Sequence, residues 1–184
     1  MIERYTEELT DEVNKLFNLK NTEFIVDENL ISSGCDTYGG ITRCYLKDPI
    51  DAIHEGVHAF FEERYQRLWE QLGEEGYESK IENIVTNPHL EEVVARIIEK
   101  SSQNIELNIC HDDTKKTVKF MSEKTIYYKD IELGEKILRL YTSIYDFYCI
   151  CPKDIQFYNN IKNDIDPMIV YNKLARYIGT HELI

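Results

Sequence analysis

Two histidines and a glutamate stand close together at His54, Glu55 and His58, within the stretch DPIDAIHEGVHAFFEE. On an α-helix, side chains four residues apart project about 40° from one another and about 6 Å apart along the axis. Both imidazoles can then bind one ion, and zinc takes such ligands at about 2.0–2.1 Å. Glu55 points to the side, where its carboxylate can take a proton from a water molecule on the metal. The spacing therefore predicts a catalytic metal site with its own general base.

The flanking residues predict the helix that this chemistry needs. Asp48 is a suitable N-cap, and Pro49 suits the first helical position because it lacks only a donor that would have no partner there. An ordinary amphipathic helix with two accidental histidines would show the same features. Three specified residues with uncharged neighbours favour the metal site. Apolar residues at helical spacing carry the helix to about Gly73: Ile50, Ile53, Val57, Phe60, Phe61, Leu68 and Leu72.

A third protein ligand is expected, because catalytic zinc sites usually have three protein ligands and one open position. One solution would be a further histidine six residues after His58, but Arg64 stands there. The other common solution is a glutamate from a following helix. Asn87 and Pro88 predict the start of such a helix, which continues to about Ser102 and begins with HLEEVVARIIEK.

With these residues the chain resembles the gluzincins, and among them the small ImmA/IrrE-like and minigluzincin peptidases, in which a Glu-x-x-Ala pattern supplies the third ligand. The segment Glu92-Val93-Val94-Ala95 matches that pattern. The resemblance covers residues 37–102 and departs at Arg96, where the family often has asparagine. It implies a zincin-like fold, with Glu92 as the third zinc ligand and peptide-bond hydrolysis as the activity.

Helical phase favours a different glutamate. Glu91 lies at the edge of the apolar face of its helix, whereas Glu92 lies on the more polar side. We take Glu92 as the third ligand and keep Glu91 as the alternative. Without a metal, either acid would simply stabilise the N-terminus of the helix.

Several other polar residues are weaker candidates. A histidine at the position of His89 more often forms a local hydrogen bond than it binds zinc. Glu62 continues the histidine row by one turn, and we expect it to be solvated. Cys35 and Cys44 are interpreted as buried thiols, although one thiolate could inhibit a zinc site. Cys149 and Cys151 have no second pair with which to form a metal site. The candidates for an oxyanion donor are Tyr38, His111, Tyr127 and Tyr128.

The rest of the chain predicts an α+β fold in a single domain, in which a short sheet packs on the helix of His54 and His58. Residues 1–104 would form the metal-site core, and residues 105–184 would add strands and a helical C-terminal part. In the first half of the chain the predicted elements are a helix over 2–19, strands over 22–31 and 41–46 with a loop over 32–40 between them, and a connector over 73–86 that contains one short helical turn. In the second half they are strands within 105–129, a helix over 131–150, and two short helices near the C-terminus, the second opened by Asp166 and Pro167.

Composition limits the classes of function. The chain has 184 residues, 42% of them hydrophobic and 30% charged, and it has no apolar run of the about 18 residues needed to cross a membrane. A net charge of -13 repels phosphate backbones, so nucleic acid is not expected as a ligand. Five cysteines without zinc-finger spacing, together with an acidic N-terminus, predict a reducing, cytoplasmic setting.

These observations predict a zinc-dependent metallopeptidase that acts on a polypeptide substrate or on a specific partner protein. Zinc would be held by His54, His58 and Glu92, and Glu55 would be the general base. The alternative is a non-catalytic or regulatory zinc-binding protein on the same fold. The presence of Glu55 favours the enzyme, since a purely structural zinc site has no use for a base. A helical interaction protein without metal is the third hypothesis.

Overall fold

The computed structural model describes residues 2–84, 88–102, 152–161 and 163–178. The described residues form an α+β structure with a three-stranded sheet and several helices, and the chain divides into two compact units, Met1–Val85 and Thr86–Ile184. The strands predicted within 105–129 and the helix predicted over 131–150 lie outside the described residues. None of the described helices is both long and apolar enough to cross a membrane.

Helix α1 spans Ile2–Leu16, and it buries Val13 together with Phe17, which follows directly after it. The chain leaves the helix at Asn18, whose φ of 54° lies in the left-handed region. Leu19 N–H then donates to the carbonyl of Asn14 at 2.9 Å. Asparagine commonly ends a helix in this conformation. The prediction that the helix continues to residue 19 is therefore too long.

The sheet of the first unit contains three strands, β1 (Thr22–Val26), β2 (Gly34–Tyr38) and β3 (Ile41–Leu46). β3 lies in the centre, parallel to β1 and antiparallel to β2. Thr42, Cys44 and Leu46 of β3 are buried, and they alternate with more exposed residues. β1 and β3 confirm two predicted strands, although β1 ends well before residue 31.

The prediction that residues 32–40 form only a loop is wrong, because β2 and β3 form a hairpin. Gly39 and Gly40 make the turn with φ of 62° and 79°, and a tight hairpin turn of this kind requires positive φ at both central positions. Strand β2 contains Gly34 and Asp36, which rarely occur in strands. Its position is set by the pairing with β3 more than by its own side chains.

The helix of the histidines begins as predicted. Residues Pro49–Asp51 form a short 3₁₀ turn, which leads directly into α2 (Ala52–Ile84). The Asp48 side chain accepts a hydrogen bond from Ile50 N–H at 3.0 Å, and this satisfies one of the donors at the helix start. Ser33 Oγ donates to Asp51 Oδ2 at 2.5 Å, so the segment before β2 is tied to the start of the helix.

Gly73 marks a break rather than the end of this helix. Its φ of 67° and ψ of 173° are not helical, yet the helix resumes and continues to Ile84. The prediction of a connector over 73–86 with one short helical turn is therefore wrong in the extent of the helix, which covers most of that segment. Residues after Gly73 include several glutamates and a lysine, which are good helix formers, so the chain returns to helix after a single glycine.

The second unit contains α3 (Pro88–Ser102), α4 (Pro152–Ile161) and α5 (Pro167–Ile178). All three helices were predicted, and each begins with a proline at a position where its missing N–H costs nothing. Asp166 caps α5, since its side chain accepts from Met168 N–H at 2.9 Å. α5 packs against α3, and buried apolar residues of the two helices include Leu90, Val94, Ile98, Val170 and Leu174.

Glu63 on α2 fixes the start of β1. Its buried carboxylate accepts from Lys20 N–H at 2.9 Å, from Asn21 N–H at 2.7 Å and from the Thr22 hydroxyl at 2.8 Å. Several donors on one carboxylate offset the cost of burying its charge. Helix α2 and the first strand are therefore joined by a buried polar contact that no pattern in the sequence indicates.

Glu63→Gln should destabilise the protein by about 2–3 kcal/mol, because the amide offers one acceptor oxygen where a carboxylate offered two and turns an N–H group toward other donors. Urea unfolding measures this difference. Glu70→Gln is the matched control, since the exposed Glu70 carboxylate accepts from Gln66 Nε2 on the same helix. Equal unfolding midpoints for the two variants would contradict the role assigned to Glu63.

Candidate metal centre

Helix α2 brings the two histidine rings together. The Nε2 atoms of His54 and His58 lie 3.3 Å apart, and their ring centroids are separated by 5.0 Å. Two nitrogen ligands at about 2.0–2.1 Å from a tetrahedral zinc ion are about 3.3–3.4 Å from one another. The rings therefore have the separation that a shared zinc ion requires. An N–H···N hydrogen bond between the rings has a similar length. Measuring the metal content therefore distinguishes a zinc site from a hydrogen-bonded pair of histidines.

The motif is largely buried, as the uncharged neighbours predicted. His54 is 9% exposed and Glu55 is 6% exposed, while His58 is half-buried. Val57 and Ala59 are completely buried. In such surroundings a cation and a carboxylate interact more strongly than they do in water, because fewer water dipoles screen them.

Gly56 permits the close approach of α1 to the motif. A Cβ atom at this position would lie 2.5 Å from Val13 Cγ1 and 3.1 Å from the Phe17 ring. Both contacts are shorter than the ordinary separation of carbon atoms, about 3.5–4.0 Å. The residue between Glu55 and Val57 is therefore limited to glycine by packing. In the sequence alone, Gly56 is only an uncharged neighbour of the motif residues.

The prediction that Glu62 is solvated is wrong. Its side chain is half-buried, close enough to Thr37 for a hydrogen bond and to His58 and Asp36 for an electrostatic interaction. Burial raises the pKa of Glu62 above its ordinary value, and the nearby Asp36 adds to this, whereas the Thr37 hydrogen bond and His58 lower the pKa. The strand that contributes Thr37 and Asp36 is β2, which was predicted as a loop.

Cys35 and Cys44 form a disulfide between β2 and β3, and the prediction that they are separate buried thiols is wrong. The two residues lie directly opposite one another in the hairpin. Cys35 Sγ lies 3.3 Å from the Glu55 carbonyl oxygen and 3.5 Å from Glu55 Oε2, and Cys44 Sγ lies 3.7 Å from the same carbonyl oxygen. The disulfide is therefore in direct contact with the expected general base.

The two candidate glutamates of α3 differ in burial. Glu91 is 9% exposed, as its place at the edge of the apolar face predicted, and Glu92 is intermediate. Arg96 Nε donates to Glu92 Oε1 at 2.9 Å, and Arg96 Nη1 lies 3.8 Å from Glu99 Oε2. The arginine that departs from the gluzincin pattern thus forms an ion pair with the glutamate that the pattern selects.

One ligand atom from each of His54, His58 and Glu92 lies within 4.8 Å of the other two. No other three histidine, cysteine, aspartate or glutamate side chains meet this condition among the residues that the structure describes. Two imidazole nitrogens and a carboxylate oxygen suit zinc, and they also suit other divalent transition metals.

Of the remaining candidates, Tyr38 alone has a side chain that the structure describes. Tyr38 is 81% exposed at the end of β2. The side chains of His89, His111, Tyr127, Tyr128, Cys149 and Cys151 lie outside the part of the chain whose side chains are described.

Protein-family models, curated proteins and solved structures were all compared with the chain, and none of them matches it. The resemblance to the gluzincins therefore depends on the motif residues and on their geometry.

Gly56→Ala should destabilise the protein. The added methyl group meets Val13 and Phe17, and overpacking of this kind costs about 1–3 kcal/mol, which exceeds the roughly 1 kcal/mol that alanine gains over glycine in a helix. Thermal or urea unfolding of Gly56→Ala, Val13→Ala and the double variant measures the effect. The double variant should be more stable than the sum of the single changes implies, because Val13→Ala removes the nearest atom. A Gly56→Ala variant as stable as the natural chain would contradict this account of the motif.

Proposed function

We propose that this chain is a zinc-dependent peptidase of the zincin-like, gluzincin type. The observation that carries the proposal is the 3.3 Å separation of the His54 and His58 Nε2 atoms, with the buried Glu55 between these residues in the sequence. A metal-dependent hydrolase needs a metal with an open position and a base beside it, and the motif would supply the ligands of the first and the carboxylate of the second.

His54, His58 and Glu92 would hold the ion. The group of ligand atoms within 4.8 Å supports Glu92 over Glu91, and it agrees with the Glu-x-x-Ala spacing. The ion pair with Arg96 supports the same assignment, because a carboxylate held by a guanidinium keeps a fixed direction. Glu91 and its buried carboxylate remain the alternative.

A bound zinc ion would polarise a substrate carbonyl and lower the pKa of a water molecule toward about 7. Glu55 would accept the proton of that water as it attacks the peptide carbon, and would then donate the proton to the departing amine nitrogen. This role requires a carboxylate close to the histidines but not itself a ligand. The position of Glu55 directly after His54, on the same buried helix, satisfies that requirement.

The proposed substrate is a polypeptide or a specific partner protein. A regulatory zinc-binding protein without activity, which is the runner-up, would need the same ligands but no base. The enzyme and the runner-up would therefore both contain zinc, and they differ in whether Glu55 has a chemical role.

Purified chain, prepared without chelator, should contain about one zinc per molecule, as expected for a site with three protein ligands. His54→Ala and Glu92→Gln should each lose most of that zinc, and Glu91→Gln should keep it. Elemental analysis of the folded proteins measures the metal, with circular dichroism as the check of folding. A folded natural chain without metal would sink the proposal, whereas zinc loss in Glu91→Gln and not in Glu92→Gln would reassign the third ligand.

Glu55→Gln should keep its zinc and lose activity by about 10²–10⁴-fold, the usual contribution of a general base. Cleavage of an unstructured polypeptide, followed by mass spectrometry, measures the rate. Glu70→Gln on the exposed part of the same helix is the control and should cleave as fast as the natural chain. If zinc-loaded natural protein and Glu55→Gln behave alike, the chain is a zinc-binding protein and not a peptidase.

A further inference from the structure

The disulfide between Cys35 and Cys44 lies against the residue that the proposed function makes the general base. Cys35 Sγ contacts Glu55 Oε2 at 3.5 Å, and both sulfurs lie within 3.7 Å of the Glu55 carbonyl oxygen. Glu55 is 6% exposed, so few water molecules separate its carboxylate from these neighbours. Any change in the chemistry of the sulfurs therefore takes place beside the reacting carboxylate.

The two sulfurs differ in their access to solvent. Cys44 is completely buried in the central strand, whereas Cys35 on β2 is only partly buried. Thiol–disulfide exchange requires a thiolate to approach one sulfur in line with the bond. The structure therefore favours attack at Cys35, with Cys44 as the leaving sulfur.

We propose that Cys35 and Cys44 form a reversible thiol–disulfide site that controls Glu55, so that the disulfide form is the active one and the dithiol form is inhibited. This inference rests on the proposed peptidase function. The reactants are small thiols and disulfides of the glutathione class, which are not part of the structure and must be supplied by the surroundings.

The difference between the two forms is a hydrogen-bond donor. A disulfide sulfur has no hydrogen, so in the oxidised form Cys35 cannot donate to Glu55 Oε2. A thiol at the same 3.5 Å has an S–H group within reach of that oxygen. The thiol would then compete for the oxygen that must receive the proton of the attacking water. Reduction also changes the packing, because two sulfurs that are no longer bonded need more room. Cys44 is held in the core, so the Cys35 side chain, which already contacts Glu55, is the one that must shift.

The exchange is balanced in two steps. In the first, the thiolate of a small thiol bonds to Cys35 Sγ, the Cys35–Cys44 bond breaks, and the electron pair remains on Cys44 Sγ, which takes a proton. In the second, another thiolate attacks the external sulfur of the mixed disulfide, and Cys35 leaves and is protonated. The protein gains two electrons and two protons, and two molecules of thiol become one disulfide.

A purely structural role for this disulfide makes a different prediction. If the disulfide only stabilised the β2–β3 hairpin, its reduction would change the unfolding midpoint. It would not change the affinity with which the metal site binds a ligand that also needs Glu55. The experiment therefore needs a readout at the metal and at Glu55, besides stability and besides turnover.

The purified 184-residue chain is brought to the oxidised or the reduced state in glutathione buffers, desalted without oxygen, and loaded with cobalt(II) or zinc. Alkylation and peptide mapping assign the redox state to Cys35 and Cys44 and distinguish them from Cys110, Cys149 and Cys151. Acetohydroxamic acid is the probe, because it chelates the metal and needs a neighbouring carboxylate to accept its proton. Its binding is followed in the visible spectrum of the cobalt form, and cleavage of an unstructured polypeptide is followed in the zinc form.

We expect the disulfide form to bind the probe at least tenfold more tightly and to cleave at least tenfold faster than the dithiol form, with equal metal content and with full recovery on reoxidation. Cys35→Ala/Cys44→Ala should resemble the disulfide form in every buffer, because neither alanine can donate to Glu55. Cys35→Ser should bind the probe weakly, because its hydroxyl remains a donor. Cys149→Ala/Cys151→Ala is the control and should respond to the buffers as the natural chain does.

Equal probe binding by the two redox forms, both holding metal, would overturn the inference and leave the proposed function intact. A Cys35–Cys44 pair that stays reduced in the most oxidising buffer would overturn it as well. If neither form binds metal, the proposed function has failed and the inference falls with it. The comparison of the two forms of the natural chain decides the outcome even where an alanine variant does not fold.

Discussion

The close packing of α2 against α1 and the sheet is the constraint on which the candidate site depends. Because both histidines and Glu55 belong to this one helix, their relative positions are fixed by helix geometry, and only the placement of the helix remains to be set. Gly56 lets α1 approach to a distance that any side chain would prevent, and Glu63 accepts from the N–H groups before β1. The helix is thus held by one contact inside the motif and by another just after it.

Three carboxylates of α2 illustrate how neighbours give one chemical group different properties. Glu63 is surrounded by donors, so its charge is stabilised and its function is structural. Glu62 is half-buried between Thr37 and His58, and burial raises its pKa. Glu55 contacts two sulfurs whose own state can change. Sequence position on a helix predicts which of these residues share a face, but most of the partners come from the three strands and from the residues directly before β1, which are remote in sequence.

The parts of the fold that depend on local signals were predictable. Asp48-Pro49, Asn87-Pro88 and Asp166-Pro167 each place a helix start correctly, because the cap and the proline act on the backbone directly beside them. Strand β2 was missed, because Gly34 and Asp36 have little strand preference and the strand exists through its pairing with β3. The wrong predictions for Glu62 and for the cysteine pair follow from that omission. Strand β2 contributes Thr37, which lies beside Glu62, and Cys35, which forms the disulfide with Cys44.

The choice between Glu91 and Glu92 shows why helical phase is a poor guide to a ligand. Phase correctly predicts that Glu91 is the more buried of the two. A carboxylate that binds a metal, however, must be ionised and must reach the position of the ion. Burial by itself disfavours the ionised form. Glu92 is less buried and is paired with Arg96, which compensates part of its charge and fixes its direction. A carboxylate whose direction is fixed by a guanidinium on its own helix is prepared to meet a metal ion, and this argues for Glu92 independently of the family pattern.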